Sequence, residues 1–473
     1  MSHMFSLAQA LAWLPGARLA GGGEVTVQRV HTDTRSLQPG DLFVALRGER
    51  FDAHDFLAQA RASGAVAALC EFGAADRLAA AGLPGLLVPD TRQALAALAS
   101  AWRAQFSLPL IAVTGSNGKT TVTQMLAAIL RAWKPESYLA TQGNLNNDIG
   151  VPLTLLRLRA HHEVAALELG MNHPGEIAVL AALARPTVAL VNNAQREHLE
   201  FMATVAAVAQ ENGSVIHALP ANGLAVFPAQ DAYSPLWAGL AGVRPVLSFD
   251  GDGTSTAAGV RCIGALWSGA AWQVTVQTPA GPLQYPLHIA GRHNVTNSLA
   301  AVACACAVGV PLGAMAQGLA AFEPVKGRSR ARQLSVAGHA VTLVDDSYNA
   351  NPDSVQAAIE VLTALPAPRL LVLGDMGEVG DEGPLFHAQA GAMAQKLGIE
   401  QVFTLGALAR HAAVSVSSSR HFDDMTTLQA AVLLELPRLG SLLVKGARFM
   451  KMEQVITVLE ASVQPQEAAH DAV

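Results

Sequence analysis

Apolar positions along this chain alternate between short unbroken runs and longer stretches with helical spacing. That is the pattern of strands buried on both faces between covering helices. The runs Ala65 to Cys70, Leu86 to Val88, Leu110 to Val113, Val164 to Leu169 and Thr187 to Val191 predict strands. So do Val341 to Val344, Leu370 to Leu373, Gln401 to Leu405 and Ser441 to Val444. Helical spacing covers Phe56 to Ala62, Thr91 to Trp102, Val122 to Trp133 and Pro174 to Ala184. The chain opens on a helical pattern that stops at Pro15-Gly16, followed by short strands over Val25 to Val30 and Asp41 to Leu46. Residues Leu224 to Ile289 are richer in short strands and turns. The longest uncharged run, Val295 to Phe322, has the length of a membrane span, but Pro311 and Gly313 interrupt it. Two buried helices around a turn at Gly309-Val-Pro311 are expected instead.

These elements predict an α/β protein of three domains, with boundaries at 1–106, 107–323 and 324–473. The first is a small α/β unit. The second is a mostly parallel sheet with helices on both faces. The third is Rossmann-like, yet no Gly-x-Gly-x-x-Gly follows its first strand, so dinucleotide binding there is not supported. The polar end from about Gln464 is expected to be disordered.

Composition narrows the function classes. A chain of 473 residues fits about three domains, and 51% hydrophobic against 14% charged residues excludes disorder. The net charge of −6, with no basic stripe, disfavours nucleic-acid binding. Cys70, Cys262, Cys304 and Cys306 form no Cys-x-x-Cys pair, so we expect buried free thiols in a reducing compartment. The first residues lack the basic start of a signal peptide. A cytoplasmic protein without membrane insertion, acting as a monomer, is expected.

The densest chemistry lies at Leu110-Ile-Ala-Val-Thr-Gly-Ser-Asn-Gly-Lys-Thr-Thr121. A buried strand, a glycine loop and a helix make a phosphate cradle, because glycines admit the anion and helix N–H groups point at it. Lys119 is expected to reach the outer phosphates and Thr120 to sit on Mg²⁺. The strict P-loop spacing asks for glycine at position 113, where this chain has Val113, so the loop is a variant. Glu168 ends a buried strand, where a carboxylate either holds Mg²⁺ or pairs with a lysine; the glycine loop favours the metal. His198, in Asn192-Asn-Ala-Gln-Arg-Glu-His198, follows another strand and is a candidate for the same ion. Thr141-Gln-Gly-Asn-Leu-Asn-Asn-Asp148 is dense in amides and suits a pyrophosphate or sugar, or is simply an Asn-rich turn. Asp345 to Asn351 reads as a polar loop, and Asp345-Asp346 offers acids for ribose hydroxyls or an amine, or for a helix N-cap.

With these residues in view, the loop Thr114 to Thr121 resembles the variant of the Mur ligases and folylpolyglutamate synthetases. Gly143 to Thr154, Glu168 to Ile177, Gly291 to Asn297, Asp345 to Ser354, Leu373 to Glu378 and Val444 to Glu453 extend the likeness across nearly the whole chain. Asp33-Thr-Arg35 and Pro39 to Leu46 fit the family's uridine-binding domain. The resemblance implies an N-terminal UDP-binding domain, a central ATP-binding domain and a C-terminal ligase domain. It implies ATP and Mg²⁺ as cofactors and an acyl-phosphate route to an amide. The implied partners are UDP-N-acetylmuramoyl-tripeptide and D-alanyl-D-alanine, in peptidoglycan precursor synthesis.

By the same resemblance, Lys119, Glu168 and His198 are catalytic, and Thr120, Glu168 and His198 serve the metal. Gly115, Ser116, Asn117, Gly118, Lys119, Thr120, Thr121, Asn297, Arg328, Asp346, Tyr348 and Asn349 contact ATP. Asp33, Thr34, Arg35, Thr141, Asn144, Asn146 and Asn147 take the UDP-sugar. One departure stands out: Asn212 falls where many members carry a carbamylated lysine, and Ser214 where they carry a glutamate. Glu211 is then expected to supply the missing charge to the metal. Ser347-Tyr-Asn-Ala-Asn-Pro352 favours a D-alanyl-D-alanine ligase over the ligase for the third residue. Another Mur-type or folylpolyglutamate-type ligase and a non-catalytic relative are the alternatives; Lys119, Glu168 and His198 are all present, against the latter.

Overall fold

The computed structural model describes residues 3–48, 51–268, 271–336 and 338–462, and the polar end from Gln464 lies outside them. The chain forms two compact units. One gathers the described residues of Met1–Ala112, Glu136–Met171 and Glu176–Thr187; the other gathers those of Val113–Pro135, Asn172–Gly175 and Val188–Val473.

In the first unit a five-stranded sheet runs in the order Arg18–Ala20, Gly85–Val88, Ala65–Glu71, Asp41–Val44, Arg29–His31. Its last three pairings are parallel, and Arg18–Ala20 adds an antiparallel edge. Phe43, Leu57, Ala68 and Leu78 fill the core between this sheet and the helices Leu57–Ala62 and Ala75–Ala81. The helix Thr91–Arg103 starts at an Asp90 side chain that accepts the N–H groups of Arg92 and Gln93. At its other end the buried Arg103 donates to the carbonyls of Ala184, Phe106 and Arg185, which satisfies a charge that would otherwise be costly to bury. Tyr138–Ala140 pairs in parallel with Val164–Glu168, whose five residues are all buried.

In the second unit, Val188–Val191, Leu224–Pro228, Val246–Asp250 and Val260–Trp267 pair successively in parallel. An antiparallel meander of Trp272–Thr278 and Gly281–Leu287 continues from them. The uncharged run becomes two helices, Arg292–Ala307 and Leu312–Ala320, with Gly309 between them at φ +79°. No helix among the described residues is long and apolar enough to cross a membrane. A six-stranded sheet follows, ordered Arg330–Val336, His339–Asp346, Ser441–Lys445, Arg369–Gly374, Gln401–Leu405, Ser419–Phe422. All its pairings are parallel except the first.

Two expectations need correction. Asp345 and Asp346 are not the start of a loop: they are the last residues of His339–Asp346 and pair with Val444 and Lys445. They also do not cap the next helix. Asn351 does, in a capping box with Ser354, and Pro352 takes the first helical position.

Candidate functional site

The strand Leu110–Thr114 ends at a glycine loop, and the helix Lys119–Trp133 begins directly after it. Gly115 and Gly118 hold φ of +128° and +84°, which L-residues rarely adopt. Space is equally demanding. A Cβ on Gly118 would fall 2.4 Å from Asn297 Oδ1, and one on Gly115 would fall 3.0 Å from the Asn192 nitrogen. The loop is therefore shaped by backbone, as an anion cradle requires.

Side chains from the next strand end clamp this loop. Asn117 N–H donates to Asn193 Oδ1 at 2.9 Å, and Asn192 Nδ2 donates to Asn117 O at 2.8 Å. Gln195 N–H donates to Ser116 Oγ, while Asn117 Nδ2 donates to Gln195 Oε1 at 2.6 Å. Asn212 is buried and does related work: its Oδ1 accepts the Gly115 N–H at 2.8 Å and its Nδ2 donates to Val208 O. Asn297 lies under Gly118, accepting from Asn192 Nδ2 and donating to Asn294 Oδ1.

Lys119 Nζ donates to Gly115 O at 2.5 Å, Ser116 O at 3.0 Å and Glu197 Oε1 at 2.9 Å. His198, in a left-handed conformation, stands 3.4 Å from Glu197 Oε1 through Nε2 and bonds Glu378 through Nδ1. Burial disfavours the imidazolium, but the two carboxylates outweigh it and raise its pKa to about 9. Burial likewise opposes charge on Glu197, yet Lys119 and His198 hold its pKa below the usual value.

The C-terminal part of the same unit reaches this loop. Asn351 Nδ2 donates to Asn117 Oδ1 at 2.9 Å. Asp353, in the first turn of Pro352–Thr363, receives the Arg196 N–H and its guanidinium, both at 2.7 Å. Arg196 also lies 5.4 Å from the Phe386 ring centroid.

Asp346 is engaged on both oxygens. Lys445 Nζ donates to Oδ2 at 2.5 Å, and Ser329 donates through N–H and Oγ to Oδ1. Burial raises its pKa, but Lys445 more than offsets this and leaves it lowered. Lys445 also binds the Asn349 carbonyl. Tyr348 carries the Arg328 guanidinium at 4.3 Å and that of Arg448 at 5.4 Å from its ring centroid. Glu211 Oε2 accepts the Gly175 N–H at 2.9 Å.

In the other unit, Glu168 is buried, its Oε1 accepting from Asn146 Nδ2 at 2.7 Å, and Thr141 Oγ1 accepts its N–H. Asn147 Oδ1 accepts the Gly150 N–H at a helix start, and Asn144 is exposed. Asp33 caps the turn Thr34–Ser36 and pairs with Arg35, whose hydrogen bonds lower its pKa to about 2.

Sequence reasoning singled out His198 in its run but passed over Asn193, Gln195, Arg196 and Glu197, and also Asp353, Glu378 and Lys445. The signal was present as five polar side chains in the six residues after the Val191 strand end. No cluster of three or more His, Cys, Asp or Glu able to hold a metal occurs among the described residues. Magnesium needs fewer protein ligands when phosphate and water complete its shell. The glycine cradle, the half-buried Lys119 and the buried Glu197 Oε2, which has no hydrogen-bond partner among the described residues, fit a nucleotide phosphate with its cation.

Comparison with known proteins agrees. The family model for the Mur ligase family catalytic domain matches residues 26–103, that for the Mur ligase middle domain 113–305, and that for the Mur ligase glutamate ligase domain 329–448. The UDP-N-acetylmuramoyl-tripeptide–D-alanyl-D-alanine ligase of Escherichia coli is 42% identical over 93% of this chain and 95% of its own length. The ligase of that name from Bacillus subtilis is 31% identical over 92% of this chain and 93% of its own. MurF from Acinetobacter baumannii superposes with a TM-score of 0.86 at 33% identity, covering 96% of this chain and 98% of its own. MurF from Thermotoga maritima in complex with ADP gives 0.78 at 27% identity, covering 92% and 97%.

Proposed function

The chain belongs to the Mur ligase family, and from that membership we propose the reaction it performs. It is an ATP-dependent ligase that joins D-alanyl-D-alanine to UDP-N-acetylmuramoyl-tripeptide in peptidoglycan precursor synthesis, releasing ADP and phosphate. The observation that carries the reading is the glycine loop, whose backbone shape and half-buried Lys119 suit the phosphates of ATP.

The chemistry follows from the substrates. A carboxylate resists attack by an amine, because its leaving group is an oxide. Phosphorylating the tripeptide's terminal carboxylate creates an acyl phosphate with a good leaving group. The amine of D-alanyl-D-alanine adds to it, and the tetrahedral adduct expels phosphate. Lys119 supplies positive charge where the transferring phosphoryl group becomes most anionic, and the N-terminus of Lys119–Trp133 adds its N–H groups. Asn192, Asn193, Gln195 and Asn212 keep the loop in shape so that no reorganisation is needed at that moment. Mg²⁺, when bound, neutralises phosphate charge and polarises the transferring group. Its candidate ligands in the unit that carries Lys119 are the Thr120 hydroxyl, His198 and Glu211. Asn297, Arg328, Asp346, Tyr348 and Asn349 are the candidates for the nucleoside side. Thr141, Asn144, Asn146, Asn147 and the Asp33–Arg35 turn are those for the UDP-sugar. The segments 1–106, 107–323 and 324–473 divide this work as UDP-binding, ATP-binding and ligase domains of a cytoplasmic monomer.

The test is phosphate release from ATP and Mg²⁺ with UDP-N-acetylmuramoyl-tripeptide, with and without D-alanyl-D-alanine. Turnover should need both, stop on chelation of the metal and yield a pentapeptide product by mass. Turnover with another amine would assign a different ligase of the family. No turnover alongside normal ATP binding would mark a non-catalytic relative.

A further inference from the structure

We infer that Glu197 is an internal anion that occupies Lys119 in the nucleotide-free protein, and that an incoming phosphate must displace it. The inference rests on the reading above that Lys119 binds nucleotide phosphate.

An ammonium group has three N–H donors. In Lys119 all three have acceptors within 3.0 Å: Gly115 O, Ser116 O and Glu197 Oε1. A phosphate oxygen can therefore reach Lys119 only by replacing one of them. Two of these acceptors are carbonyls of the loop itself. Their peptides are both held by Asn193, whose carbonyl accepts the Ser116 N–H at 3.2 Å and whose Oδ1 accepts the Asn117 N–H at 2.9 Å. The third is a side chain that can rotate.

Charge points the same way. The Glu197 carboxylate and a phosphate would be two anions on one ammonium in a place with little water, since the Glu197 side chain is only 8% exposed. Like charges so placed disfavour each other strongly. The carboxylate also has somewhere to go. His198 Nε2 lies 3.4 Å from the same Oε1, and the Glu197 Oε2 has no hydrogen-bond partner among the described residues. A small rotation exchanges Lys119 for His198 as the partner of Glu197. The flanking contacts need not move: Gln195 stays on Ser116 and Arg196 stays on Asp353. Glu197 is thus a positioning residue. It keeps Lys119 folded onto its own loop until a stronger anion arrives, and it lowers nucleotide affinity below what the loop alone would give.

The sign of that effect makes the test sharp, because damage to the loop would weaken binding. ATP affinity is measured calorimetrically on the full chain with the metal chelated, for the parent, Glu197→Gln and Glu197→Asp. Glu197→Gln should bind ATP at least threefold more tightly, and Glu197→Asp, whose shorter side chain draws back from Lys119, should fall between. Unchanged or weaker binding by Glu197→Gln would overturn the inference, and the same result with Glu197→Asp would overturn it should the glutamine variant not fold. Lys119→Ala separates this outcome from failure of the nucleotide reading. If Lys119→Ala leaves ATP affinity intact, the nucleotide reading itself fails. If Lys119→Ala weakens binding, the gain from Glu197→Gln should vanish in that background. A gain that persists without Lys119 would mean simple repulsion of phosphate, and the displacement idea would be wrong.

Discussion

At the scale of single residues, Gly118 and His198 make the most exposed claims. Gly118 combines a left-handed backbone with a Cβ position already taken by Asn297. Gly118→Ala should cost on the order of 1–3 kcal/mol of stability. It should also weaken ATP binding about tenfold or more (roughly 1.4 kcal/mol per factor of ten); equal affinity by calorimetry would show that the loop tolerates a side chain. His198 makes a claim about pH. Its folded pKa of about 9 lies above the ordinary value of about 6.5, so the pairing with Glu197 and Glu378 is at full strength below pH 6.5. The contribution drains away as pH rises through about 9. A proton-resonance titration of the nucleotide-free protein should place the ring midpoint near 9, and Glu378→Gln should bring it down. At this scale the glycine loop was legible, because glycine and lysine spacing encodes backbone shape directly. Glu197 and Arg196 were not, because their meaning depends on partners 78 residues upstream and 157 residues downstream.

Among the elements, the helix Pro352–Thr363 has a first turn with two tasks. Asn351 caps it and also bonds Asn117, while Asp353 complements the helix N-terminus and also receives Arg196. Asn351→Ala should cost about 1 kcal/mol through the cap alone. Arg196→Gln and Asp353→Asn, made singly and together, should show non-additive losses with a coupling on the order of 1 kcal/mol in chemical denaturation. Additive losses would reduce the pair to a surface decoration. Most buried strands were legible because strands covered on both faces read as apolar runs. The edge strand Arg330–Val336 was not, since its Arg-Ala-Arg-Gln-Leu-Ser-Val sequence is partly exposed and lacks that run. Asp345 and Asp346 misled for a related reason: a polar pair looks like a loop, but Lys445 and Ser329 neutralise one acid and Gly327 and Ser347 the other inside the strand end.

For the molecule as a whole, segments read from composition run contiguously, whereas compactness follows contacts. The first unit takes in Glu136–Met171 and Glu176–Thr187, which lie well beyond its N-terminal stretch. Nothing in local periodicity announces such a return. Ligand binding gives the matching prediction: ATP at a hundred times its Kd should stabilise the unit that carries Lys119 by about 2.7 kcal/mol. Scanning calorimetry should therefore show the transition of that unit moving upward with ATP concentration, and an immobile profile would deny the site.

The glycine loop has one more consequence, for chemotherapy rather than for mechanism. The Gly115 amide is held by Asn212 Oδ1, but a contact with the Gly118 amide would carry no side chain of its own, and neither glycine has room or backbone geometry for one. An inhibitor whose grip were confined to the backbone at Gly118 would leave resistance mutations little to work with. A codon change there would damage the loop itself before it dislodged the inhibitor.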